Sequence, residues 1–313
     1  MATSKEMTAG PALPLILKFT LPLLLGNLLQ QTYSLVDAAI VGKFLGINAL
    51  ASVGASTSVV FLILGFCNGC CGGFGIPVAQ KFGARDYSTM RSYVSVSLKL
   101  AAGMSVVIAL VTSIFCADIL RIMRTPENIF EGAYAYLLVT FIGVPFTFFY
   151  NLLSSIIRAL GDSKTPFWFL LFAAVLNIIL DYLFIFPFGW GMFGAAIASA
   201  IGTTVGALMI IIYLSRRKCA LRFYPVKLTR KSMQLTHRNI GYMCRLGSSA
   251  FLCEVAIACM MFVGNIVFIH YLQEEGVAAF SIACYFFPII FMVYNAIAQS
   301  AQPIISYNFG QQN

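Results

Sequence analysis

Three acids lie inside long apolar runs: Asp37, Asp181 and Glu254. Asp37 sits in YSLVDAAIVGKFLG, with no opposite charge close by in sequence. An acid at the centre of a membrane helix costs about 2.5–3.5 kcal/mol on translocon-type scales. Such a group faces a polar interior as a rule and marks a pathway. The polar neighbours narrow the chemistry. Gln30 and Tyr33 precede Asp37 by seven and four residues, and Asn177 precedes Asp181 by four. On a helix these spacings share one face. Ser199 and Tyr136 fall at a similar depth in their own runs, roughly 10 Å from one end at 1.5 Å per residue. Two carboxylates, an amide and a hydroxyl are hard oxygen ligands suited to a small cation such as Na+. Alternatively, the two carboxylates share one proton and can load and release it. In either case the expected site is one for a coupling ion, H+ or Na+, with no other cofactor.

The runs that carry these groups set the fold class. The chain has 313 residues, of which 60% are hydrophobic and 10% charged. Its mean hydropathy is +0.88. A soluble domain carries about 25% charged residues. Apolar segments long enough to span a bilayer recur at about 14–42, 49–76, 92–117, 132–157, 166–187, 192–214, 245–270 and 277–305. Each backbone group in such a span must find a partner within its own segment, so the spans are helices. The expectation is an all-α polytopic membrane protein. The polar start MATSKEMTAGPALP and the length of the first run give no sign of a cleaved leader.

Charge placement gives the orientation. With the amino terminus in the cytoplasm, every lysine and arginine except Lys43, Arg121 and Arg124 falls on the inner side. This is the positive-inside pattern. The net charge of +9 is therefore an orientation signal, and no nucleic-acid partner is expected. The basic loop 215–244 reads as a solvated cytoplasmic linker that can also touch anionic lipid heads. The cysteines of CNGCC (Cys67, Cys70, Cys71) lie within an apolar helix, without a flanking His or acid. They read as packing residues, not metal ligands or a disulfide framework.

A repeat organises the chain. A shift of 227 residues lays the first two spans on the last two without a gap. Val36 meets Val263, Asn68 meets Asn295, Phe82 meets Phe309 and Gly83 meets Gly310. Repeats of this kind build many transporters. The expected domains are a six-helix bundle over 1–214, the linker 215–244, and the first two helices of a repeat-related second bundle over 245–313. If the halves match, roughly four helices are missing, as in a chain truncated after its eighth helix.

These residues fall in recognisable motifs. LVDAAIVGKFLG (35–46), VAQKFGARD (78–86), RALGDSKTP (158–166), LNIILDYLFIF (176–186), GMFGAAIASAIG (191–202) and YNFGQQN (307–313) resemble those of the multidrug and toxic compound extrusion family. The resemblance covers the whole chain. It implies two six-helix bundles that rock around a central cleft and export cationic or amphipathic compounds in exchange for protons or sodium. It implies a first-bundle ion site at Asp37, Asn177, Asp181 and Ser199. Tyr33, Gln30 and Tyr136 match residues lining the same cavity, and Glu254 matches a coupling Glu found in some branches. The expected setting is the plasma membrane, with drug-like small molecules as cargo, the bilayer as partner and a full-length monomer as the working form.

Other functions fit less well. A flippase for lipid-linked sugars would place basic residues inside the spans to hold a pyrophosphate, whereas these spans hold acids. A membrane enzyme would show a motif such as HExxH or GxSxG, and the only histidines are His237 and His270. The remaining alternative is a truncated product without activity of its own.

Overall fold

Among the described residues, the chain begins with seven helices in order: α1 (Ala12–Leu45), α2 (Ile47–Gly83), α3 (Tyr87–Ile114), α4 (Cys116–Ile122), α5 (Glu127–Ala159), α6 (Lys164–Ile185) and α7 (Gly191–Ser215). The computed structural model describes residues 11–123, 125–215, 237–243 and 290–312, plus isolated positions at 245, 248, 252, 253, 256 and 267. Among the described residues, 237–243 and 290–311 are also helical. Six helices, all of these seven but α4, contain windows long and apolar enough to cross a membrane. The chain is an all-α polytopic membrane protein.

Each expected first-half span is a helix, with shifted ends. α2 runs on to Gly83, and α5 begins at Glu127 instead of near 132. Glu127 and Glu131 therefore belong to a helix rather than a loop. Pro126 precedes the first turn, and Glu127 inside it complements the positive end of the helix dipole. Asp118, also expected in a loop, lies in α4. This segment coils because Cys116 and Leu120, one turn apart, are buried against Ala133, Leu137 and Phe141 of α5. In the second half, most of 245–270 lies outside the described residues. The last helix continues past the expected limit of 305 to 311.

The connections are short and chemically specified. Gly46 joins α1 to α2 with φ +89°, a conformation open to glycine. The turn between α5 and α6 is built by Asp162. Its Oδ1 accepts from the N–H groups of Lys164 and Thr165, both at 3.0 Å. Its Oδ2 accepts from Thr165 Oγ1 at 2.5 Å and from the Tyr213 hydroxyl of α7 at 3.2 Å. RALGDSKTP thus ties three helices at one end of the bundle.

α5 is the central post, packed against α2, α3, α4 and α7. Its buried face carries Phe141, Phe148, Leu152, Leu153, Ile156 and Ile157. α1 packs on α6 and α2, and α6 on α7. Small residues bring the helices close, as membrane packing requires. A Cβ on Gly75 would sit 2.6 Å from Ser155 Oγ, and one on Gly202 would sit 3.1 Å from the Ala173 carbonyl. The opposite faces stay apolar and exposed. Trp168, Phe172, Val175, Ile179 and Tyr182 form one such stripe along α6, suited to hydrocarbon.

One cap gives a pH test. Asp86 caps α3, with Oδ1 accepting from the Thr89 N–H at 3.1 Å. The Thr89 side chain and N–H, with a smaller contribution from Lys81, hold this carboxyl below the usual carboxylate range. A carboxyl lowered by folding stabilises above its unfolded pKa, and that contribution is lost as pH falls through the folded value. Asp86→Asn keeps a capping oxygen and removes the titration. The fall of the unfolding midpoint below about pH 4 should therefore flatten in the variant. An unchanged slope would show that the cap carries no pH-dependent stability.

Candidate ion-coupling site

Three helices supply the polar groups. Asp37 lies eight residues before the end of α1, so about 12 Å along the axis. Ser199 lies eight residues into α7, again about 12 Å. Asp181 is one turn from the end of α6, and Asn177 one turn deeper on the same face. The antiparallel run of α6 into α7 then brings Asn177 beside Ser199. Gly202 makes this approach possible, since a Cβ there would come within 3.3 Å of Asn177 Cβ.

The apolar packing takes these groups away from solvent. Asp37 is 7% exposed, Asn177 3% and Asp181 0%. The two carboxyl groups are close enough to interact electrostatically with each other. Asn177 spans the next gap. In the amide orientation that satisfies both ends, its nitrogen donates to Asp181 Oδ2 at 3.3 Å and its oxygen accepts from Ser199 Oγ at 3.2 Å. Thr203 Oγ1 donates to the Ser199 carbonyl at 2.9 Å, one turn further along α7. Asp37 Oδ1 and Asp181 Oδ1 are buried and accept no hydrogen bond. A buried carboxylate oxygen without a donor is costly, and a cation or a proton removes that cost. The residues present therefore fit a small cation or a shared proton. Among the described residues, no group of three or more His, Cys, Asp or Glu could hold a metal ion.

Tyr33 and Tyr136 belong to the same cluster, and both interact electrostatically with Asp37 and Asp181. Gln30, by contrast, is exposed, and its carbonyl accepts from Ser34 Oγ within α1. Glu254 lies outside the described residues. Tyr150 is an addition that the sequence reading missed. It interacts with Tyr33, and its hydroxyl donates to the Pro166 carbonyl at 3.4 Å. Its signal was available: Tyr150 follows Tyr136 by 14 residues, four turns along one face of α5.

The MatE family profile matches residues 22–183, a stretch that contains both carboxylates and Asn177. This chain belongs to the MatE family. It is 33% identical over 268 residues to the probable multidrug resistance protein YoeA of Bacillus subtilis, covering 84% of this chain and 57% of that protein. It is 25% identical over 300 residues to the multidrug export protein MepA of Staphylococcus aureus, covering 96% and 65%. A crystal structure of MATE in the bent conformation superposes with TM-score 0.90 at 25% identity, covering all of this chain and 69% of that one. The MatE chain thus spans less than two thirds of the length of these two relatives. The helical order and the membrane-spanning character are those of the family.

The bridging role of Asn177 is testable. Asn177→Ala leaves Asp181 Oδ2 without its donor and should cost roughly 1–3 kcal/mol. Ser199→Ala should cost less. Because both act through one network, the double variant should depart from additivity by at least ~0.5 kcal/mol. The measurement is the denaturation midpoint in detergent micelles. Strict additivity would show that the two residues do not form one unit.

Proposed function

We propose that this chain is the ion-coupling part of a secondary antiporter that exports cationic or amphipathic drug-like compounds in exchange for H+ or Na+. The observation that carries the reading is the Asp37–Asp181 pair, two buried carboxyl groups that interact electrostatically, each keeping one oxygen without a donor. A proton shared by the two carboxyl groups would relieve the cost of burying both charges. A sodium ion is the second candidate, with Ser199 and Asn177 in support. Cargo and coupling ion compete for the same charge. Ion entry from outside neutralises the pair and releases the exported compound outward, and loss of the ion to the cytoplasm restores the charge.

The names of relatives support the cargo class, since two of them are multidrug resistance or export proteins. The positive-inside pattern supports a cytoplasmic amino terminus, and efflux supports the plasma membrane as the site of action. Alternating access would set the six-helix unit 1–214 against a second unit that begins at 245, joined by the linker 215–244. The working form would be a full-length monomer in the bilayer. Glu254, in the second unit, is assigned a supporting role in coupling.

The deciding experiment uses the full-length protein in proteoliposomes loaded with a fluorescent organic cation. Proton and sodium gradients are imposed separately. The gradient that drives export identifies the ion. Asp37→Asn and Asp181→Asn should each reduce driven export by at least ten-fold while leaving the protein folded. Export that survives both substitutions would overturn the site.

A further inference from the structure

One part of the structure lies apart from the carboxylate pair. At the end of the bundle where α1 begins, α2 and helix 290–311 cross at glycines on both sides. A Cβ on Gly83 would collide with the Tyr307 carbonyl, and one on Gly310 would collide with the Gln80 carbonyl. Gln80 and Tyr307 are related by the 227-residue shift, as are Gly83 and Gly310. The contact is therefore reciprocal, the pattern of a two-fold interface made within one chain. Phe82 packs on the Tyr307 ring with centroids 5.6 Å apart.

Two further contacts join the halves. Thr20 of α1 and Ser300 lie with hydroxyl oxygens 2.6 Å apart, buried. Each hydroxyl also reaches a carbonyl of its own helix: Ile16 at 2.9 Å for Thr20 and Ile297 at 2.8 Å for Ser300. The pair can thus separate without leaving a hydroxyl unsatisfied. The second contact is made by the segment 237–243. The Tyr242 hydroxyl donates to Gln80 Oε1 at 3.0 Å, and the Asn239 amide donates to Ser92 Oγ at 3.5 Å. Tyr242 stacks near Tyr93 with centroids 6.3 Å apart, and Met243 is fully buried. Gln80 is therefore held twice, by its carbonyl against Gly310 and by its side chain from Tyr242.

We propose that the reciprocal Gly83–Gly310 crossing is the releasable inner closure between the two halves, and that segment 237–243 is a clasp on it through Tyr242 and Gln80. The glycines suit such a closure. They let backbones meet without interlocked side chains, so the helices part without repacking a core. The hydroxyl pair suits it for the same reason. The clasp makes the last turns of the linker a control element instead of a passive tether. This rests on the antiporter reading, which supplies the need for the closure to open.

The test is a distance measurement on the full-length protein, spin-labelled at Ala84→Cys and Gln312→Cys, in lipid nanodiscs. The unaltered background should give a short distance and a minor longer one. Gly83→Ala and Gly310→Ala should each shift the population to the longer distance. Tyr242→Phe removes one exposed hydroxyl and leaves the fold intact, so it guards against misfolding. It should raise the open fraction on the order of two- to ten-fold, as expected for one hydrogen bond. An unchanged distribution in both glycine variants would overturn the closure. An unchanged one in Tyr242→Phe alone would overturn the clasp. Neither outcome depends on driven export, so failure of the antiporter reading is seen separately.

Discussion

Two carboxyl groups held together in an apolar bundle form the constraint on which the other features depend. Asp37 and Asp181 arrive from different helices, and both are buried. Neither can be left there without neighbours that fix its position. The structure meets this with a short chain of contacts. Gly202 lets α7 approach α6, the approach puts Asn177 against Ser199, and Asn177 in turn reaches Asp181. A larger side chain at 202 would displace α7 and with it the far end of the bridge. The site is thus specified by a glycine that carries no chemistry.

The division of labour among helices follows. α5 carries the large apolar contacts, with α2 and α3 on one side and α7 on another. α1, α6 and α7 carry the polar groups at one end of the bundle. At the other end, Asp162 ties the α5–α6 turn to Tyr213 of α7. The close Gly202 contact therefore lies between the carboxylates and that fixed turn. Under the proposed antiport, ion binding would act on side chains while the helices keep their register, which the site needs if the bundle is to move as one piece.

Much of this was legible in the residues themselves. Apolar length located each first-half span, because a membrane helix must satisfy its own backbone and fill about 30 Å of hydrocarbon. Depth along the spans grouped Asp37, Asn177, Asp181 and Ser199, since 1.5 Å per residue converts sequence position into height. Height says nothing about azimuth between helices, so the pairings had to come from packing. Asn177 to Ser199 depends on the Gly202 contact, and the place of Tyr150 depends on how α5 faces α1. The helical nature of 118–122 and the break before Cys116 were missed for a related reason. The segment's two buried residues, Cys116 and Leu120, are too few to form a periodic signal, and the turn forms because α5 offers a surface for them.

The repeat is preserved unevenly, and the pattern is informative. The 227-residue shift keeps Gly83 and Gly310, and among the described residues each comes within a Cβ's reach of the other half's backbone. The same shift places Gly264 opposite Asp37. A contact between two equivalent halves works only if both sides keep it, because each glycine answers the carbonyl of the other half. An ion site has no such requirement. One carboxylate pair in one bundle suffices, and a second pair would add a second desolvation cost without a new function. Symmetry therefore survives at the seam and is lost at the site. Under the proposed antiport, the first bundle would then be the ion carrier and the second the surface it closes against.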